Sequence, residues 1–162
     1  DIVVEAFLKN PDKFLHICGP MEQSFAQQYS EKIKNSPNII YHGFVQPGEE
    51  LFNKLASRCS YVVFHSSAEG CCTSVATAMK AGLVPIINPW TGIIIKDMYN
   101  GLLMSDEKDL VAEVEEKIKI ASTINDEDYK QLLKNSLEHA KPFSQKGYVE
   151  SYKSCIEEIE KQ

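Results

Sequence analysis

The stretch "YVVFHSSAEGCCTSVATAMKAGLVPII", residues 61–87, decides the fold. Its first five residues, Tyr61 to His65, form an apolar run of β-formers, and its last four, Val84 to Ile87, form another. Between them Thr73 to Ala81 carries small and apolar residues at helical spacing, and Gly82 marks the helix end. Strand, loop, helix and strand in this order are a βαβ unit, in which both strands run parallel and the crossover covers one face.

The same pattern extends in both directions. Strands are expected at Phe14 to Cys18, Ile39 to His42 and Leu102 to Met104. All five apolar runs are nearly continuous in hydrophobicity, as suits strands covered on both faces of a parallel sheet. Helices are expected at Ile2 to Leu8, Glu22 to Ile33, Glu49 to Ser57, Glu107 to Ala121, Glu127 to Ala140 and Tyr148 to Lys161. Phe25, Tyr29 and Ile33 recur every four residues, and Leu51, Phe52 and Leu55 form one stripe. The expectation is an α/β fold: a doubly wound, Rossmann-like parallel sheet forming one domain over residues 1–162, with carboxyl-terminal helices from about 107. The opening "DIVVEAFLKNPDKF" has helical period with no strand ahead of it, so the first strand of this sheet is expected upstream of Asp1.

Composition removes several classes of function. The hydrophobic fraction of 43% and charged fraction of 25% suit a folded domain rather than a disordered one. The longest apolar runs fall far short of the roughly 18 residues that a membrane span requires. A net charge of −6, with Arg58 the only arginine, opposes a nucleic-acid surface. Five cysteines without a C-x-x-C pair suit reduced thiols in a cytoplasmic protein, with the neighbours Cys71 and Cys72 read as small packing residues. His16, His42, His65 and His139 are scattered, so no metal site is expected.

In an open α/β sheet a ligand binds beyond the carboxyl ends of the strands. The loops to inspect are therefore Gly19-Pro20, Gly43 to Pro47, Ser66 to Cys72 and Asn88 to Gly92. The third holds Glu69 just before a helix start whose free N–H groups favour an anion. That carboxylate either caps the helix or accepts hydrogen bonds from sugar hydroxyls, and composition alone leaves both open.

The motifs "VVEAF", "FLHICGP", "NIIYHGFV", "SSAEGCCTSVATAMKAGLVPIINPWTGI", "NGLLMSD" and "FS", in this order and spacing, resemble the carboxyl-terminal half of retaining glycosyltransferases with the GT-B fold. The likeness is to the large family that includes sucrose synthases and bacterial capsule, lipopolysaccharide and mannosyl transferases. The resemblance implies a donor-binding domain for a nucleotide-diphosphate sugar, used in polysaccharide or glycoconjugate synthesis, with an amino-terminal acceptor domain of the same parent chain as its partner. It implies no cofactor and no metal, and a cytoplasmic parent with peripheral membrane association through the acceptor domain.

Position by position, the resemblance makes Glu69 the first glutamate of the family's E-x7-E motif, facing the donor sugar and serving as the candidate catalytic residue. It puts Gly70, Cys71, Cys72 and Thr73 beside the sugar and diphosphate, Val45 after Gly43 near the base, and Gly19 on the donor cleft. Where the second glutamate of the motif is expected, this chain has Thr77, which cannot grip the ribose as a carboxylate does. The loop Trp90-Thr91-Gly92 carries one glycine where many relatives have two. The family's Arg and Lys pair for the diphosphate is expected ahead of Asp1, so the chain by itself should bind nucleotide weakly and turn over nothing. Two alternatives remain: a degenerate, non-catalytic domain kept as a scaffold, and a nucleotide-sugar epimerase, whose acid and base residues are not identifiable. His65 is read as structural.

Overall fold

The apolar runs form five strands, each close to its expected place: β1 Leu15–Ile17, β2 Ile39–Tyr41, β3 Tyr61–Phe64, β4 Val84–Ile87 and β5 Leu102–Leu103. The structure is a computed structural model that describes residues 1–107 and 109–161. All strand pairings are parallel, in two ladders of order β1-β2 and β3-β4-β5. The expected sheet is thus present in strand content and direction, but β1 and β3 do not pair with each other.

Helices fill the connections: α1 Ile2–Lys9, α2 Gln23–Lys34, α3 Glu50–Ala56, α4 Thr73–Lys80, α5 Leu110–Thr123, α6 Asp126–Ala140 and α7 Gln145–Glu160. Two ends differ from the expected boundaries because caps set them. Asp109 accepts from the amides of Val111 and Ala112 at 3.0 and 3.2 Å, so α5 starts at Leu110 rather than Glu107. Lys108, inside the expected helix, lies outside the described residues. Ser144 accepts from Gly147 N at 3.0 Å, which starts α7 at Gln145, ahead of Tyr148. Short 3-10 turns at Pro89–Thr91 and Lys141–Phe143 have no periodic signal in the sequence, and each carries a proline in its first turn.

β4 is buried along its whole length and anchors the larger ladder. Its Pro85 has no N–H to give, yet a proline in an interior strand ordinarily breaks a ladder. Here β5 begins only at the level of Ile86, so no carbonyl of β5 is left waiting for it. Gly101 fills that position, where a Cβ would come within 2.8 Å of the Pro85 carbonyl.

One core cluster joins Val4, Phe7, Tyr29, Ile33 and Ile39 from the first half of the chain to Met104, Val114 and Ile118 from the second. Others pack Val75 and Met79 of α4 with Ile87, and Leu132 of α6 with Ile86 and Leu102. Among the described residues no helix is long and apolar enough to cross a membrane.

Candidate functional site

Parallel strands place every strand-to-helix loop at one edge, and two of these loops are joined into a unit. Loop 66–72 leaves β3 and loop 88–92 leaves β4. Glu69 N donates to the Trp90 carbonyl and Cys72 N to the Thr91 carbonyl, both at 2.8 Å. Gly92, at φ +70°, passes so close that a Cβ there would lie 2.2 Å from the Gly70 carbonyl oxygen. Beneath them Asn88, fully buried, accepts from Ser66 N at 3.0 Å and donates to the Ser66 carbonyl at 2.7 Å.

A polar cluster continues from Asn88 into the loop after β5. Asn88 Nδ2 donates to Asp106 Oδ2 at 2.8 Å, and Asp106 Oδ1 lies 3.0 Å from His65 Nε2. Asp106 adopts φ +61°, an uncommon conformation for a non-glycine residue. It is held there by Glu113 of α5, a buried carboxylate that accepts from the amides of Ser105 and Asp106 and from the Ser105 hydroxyl. His65 is therefore fixed by a partner rather than free in the cleft, in keeping with a structural reading. Asn88, Asp106 and Glu113 carry no local motif, and nothing in the sequence singled them out.

Glu69, Gly70 and Cys71 are exposed at the lip of this unit, directly before α4. Of the amides assigned to the anion, that of Cys72 is already committed to Thr91, because the close approach of Gly92 draws the two loops together. Among the described residues the amides of Gly70, Cys71, Thr73 and Ser74 have no backbone partner. They are the donors left for a ligand, next to one carboxylate. Gly19 and Gly43 meet separately at the ends of β1 and β2, where Gly19 N donates to the Gly43 carbonyl at 2.8 Å, with Val45 half-buried two residues on. No hydrogen bond among the described residues joins this pair to loop 66–72.

Thr77 lines a cavity of about 280 Å³ with Cys71, Thr73, Lys80, Phe143 and Tyr148. Its hydroxyl donates to the Thr73 carbonyl at 2.7 Å within the helix, so Thr77 offers a ligand an acceptor and no proton. Among the described residues no three His, Cys, Asp or Glu side chains are grouped to hold a metal ion.

The two neighbouring thiols differ sharply. Burial pushes the Cys72 thiol up, further than its contacts with Ser74 and Val75 pull it down, and Cys72 is only 2% exposed. Iodoacetamide at neutral pH should therefore alkylate the exposed Cys71 and Cys155 first, with Cys72 lagging about tenfold or more. Peptide mapping by mass spectrometry checks this, and equal rates at Cys71 and Cys72 would contradict the burial.

The sequence profile of the family described as "Glycosyl transferases group 1" matches residues 2–120, well over half of the chain. The chain belongs to the group 1 glycosyl transferases. The domain also resembles solved GT-B glycosyltransferases in fold. A glycosyltransferase of Rickettsia africae superposes with a TM-score of 0.78 at 16% identity, over 99% of this chain and 44% of that one. HepE of Anabaena, in complex with UDP-glucose, gives 0.70 at 17% identity over 86% of this chain and 39% of that one. The pneumococcal O-GlcNAc transferase GtfA, in complex with UDP and GlcNAc, gives 0.70 at 20% identity, over 98% and 32%. At these identities the likeness is one of fold, and this group 1 transferase chain spans less than half the length of each. No curated protein sequence matches it significantly.

Proposed function

We propose that this group 1 transferase chain is a donor-binding domain that takes a uridine-diphosphate sugar, in a parent enzyme that transfers the sugar to an acceptor hydroxyl with retention. The carrying observation is the exposed Glu69 carboxylate set immediately before four outward amides, those of Gly70, Cys71, Thr73 and Ser74. Amides at a helix start bind an anion through partial positive charge, and a carboxylate beside them accepts from sugar hydroxyls. One end of a nucleotide sugar is a diphosphate and the other a polyol, so adjacent donors and acceptors of this kind match it. The UDP-sugar complexes of HepE and GtfA support uridine as the base.

Calorimetry of the chain against UDP-glucose, GDP-mannose and ADP-glucose tests this. UDP-glucose should bind with Kd of about 0.1–1 mM, which is roughly 4–5.5 kcal/mol, and more tightly than the other two. Absence of heat with all three at several-fold higher concentration would reject the reading.

Thr77, with its hydroxyl turned into its own helix, favours a second reading in which the domain has lost its ribose grip and persists as a scaffold. Thr77→Glu separates the two. In a competent cleft the new carboxylate forms charge-assisted hydrogen bonds of about 1.5–3 kcal/mol and should tighten UDP binding roughly tenfold to a hundredfold. A variant that folds as the original does but gains no affinity supports the scaffold.

A further inference from the structure

The two ladders face each other with open inner edges. In β1, Leu15 N donates to the Asn38 carbonyl and the Ile17 carbonyl accepts from His42 N. The alternation of a strand then turns the backbone groups of Leu15 and Ile17 toward β2, and those of His16 and Cys18 the opposite way. In β3, the Ser60 carbonyl accepts from Val84 N, so Ser60, Val62 and Phe64 turn toward β4, while Tyr61 and Val63 turn away. Among the described residues the backbone N–H and C=O groups of His16, Cys18, Tyr61 and Val63 have no hydrogen-bond partner.

These edges do not belong to independent sheets. Leu15 and Ile17 of β1 and Val63 of β3 pack against one and the same core cluster. β2 and β3 are joined through the single helix α3, which makes the two ladders run in one direction. Yet β1 and β3 are half-buried, whereas β4, paired on both sides, is fully buried. Inside a doubly wound sheet the middle strands should be the most buried.

We propose that the space between β1 and β3 receives one parallel strand, apolar on both faces, from polypeptide directly ahead of α1. Handedness selects this occupant. α1 leads into β1, so a strand feeding α1 forms a βαβ unit with β1 and lies beside it. One side of β1 is taken by β2, which leaves only the side facing β3. The strand bonds to His16 and Cys18 on one flank and to Tyr61 and Val63 on the other, turning β2-β1 and β3-β4-β5 into a single sheet. This inference is independent of the donor reading.

Residue-resolved hydrogen exchange tests it. In the chain as it stands, the amides of His16, Cys18, Tyr61 and Val63 should exchange at least about tenfold faster than those of Ile17, Val62 and Ile86. A probe strand of Val-Ile-Val-Ile, joined ahead of Asp1 through a short Gly/Asn loop, should slow all four about tenfold or more and raise the Tm. The same extension with proline at its second and third positions should do neither. Slow exchange of the four amides in the original chain overturns the proposal without reference to the fusion. So does an unchanged rate in a folded fusion, or equal slowing by the proline control.

Discussion

Gly92→Ala should destabilise the domain by about 3 kcal/mol or more, a large effect for the addition of one methyl group. Two causes act together. Gly92 has φ +70°, a region that costs an L-residue roughly 1 kcal/mol or more. The new Cβ would also meet the Gly70 carbonyl oxygen at 2.2 Å and its carbon at 2.6 Å, both backbone atoms that no side-chain rotation can move. Relief requires the two loops to separate, and the hydrogen bonds from Glu69 N to Trp90 and from Cys72 N to Thr91 go with them. Gly48→Ala is the control: φ is +87° there, but nothing lies within 4 Å, so only the backbone cost of about 1 kcal/mol remains. Urea unfolding of both variants measures the difference. If Gly92→Ala lowers the midpoint no more than Gly48→Ala does, the loops are not in the contact described. Because Glu69 hangs on the same unit, UDP-glucose binding should also weaken in Gly92→Ala and not in Gly48→Ala.

This dependence on one glycine shows where sequence reading works and where it stops. β4 was legible to the residue because four apolar residues, Val84 to Ile87, sit between Gly82 and Asn88, and burial on both faces leaves no polar position to blur the run. β1 lost its outer expected residues, Phe14 and Cys18, because pairing with β2 alone, not hydrophobicity, sets its length. The loops that carry Glu69 and Gly92 could be found from their place after strands. Their mutual contact could not, since it joins backbone atoms about twenty residues apart and leaves no pattern in side-chain type. The histidines show the same limit: His16 and His42, scattered in sequence, lie 2.9 Å apart between Nδ1 and Nε2 because β1 and β2 are neighbours. Asn88, Asp106 and Glu113 are ordinary polar residues by composition. Only burial and three converging loops make them a network.

Glu113 is where that network should fail most visibly. Glu113→Gln keeps the shape and removes the charge, and it should cost about 2–4 kcal/mol at neutral pH. Both carboxylate oxygens are used: Oε1 by the amide and hydroxyl of Ser105, and Oε2 by Asp106 N at 2.9 Å. A glutamine must place an NH₂ where one of these donors points, so one pair becomes donor against donor in a site that is 5% exposed. The pH dependence carries a second signature. Burial pushes the Glu113 carboxyl up, but the hydrogen bonds from Ser105 and Asp106, with Lys117 nearby, outweigh it and hold the group below its ordinary 4.5. A carboxyl depressed in the folded state binds protons more readily when unfolded. Its stabilisation is therefore complete above the unfolded value and disappears as pH falls through the folded one. Between pH 6 and pH 3 the original chain should lose this contribution, whereas Glu113→Gln, lacking the group, should show a shallower acid limb, so that the two stabilities converge at low pH. Urea titrations at pH 7, 5 and 3.5 measure both effects. A constant difference across the three would mean that packing, not the charge on Glu113, holds the 105–106 loop. The consequence then reaches the cleft, because Asp106 at φ +61° is the residue that fixes His65 and Asn88. A loop that relaxes at Asp106 frees both ends of that contact, and loop 66–72 loses the support beneath Glu69.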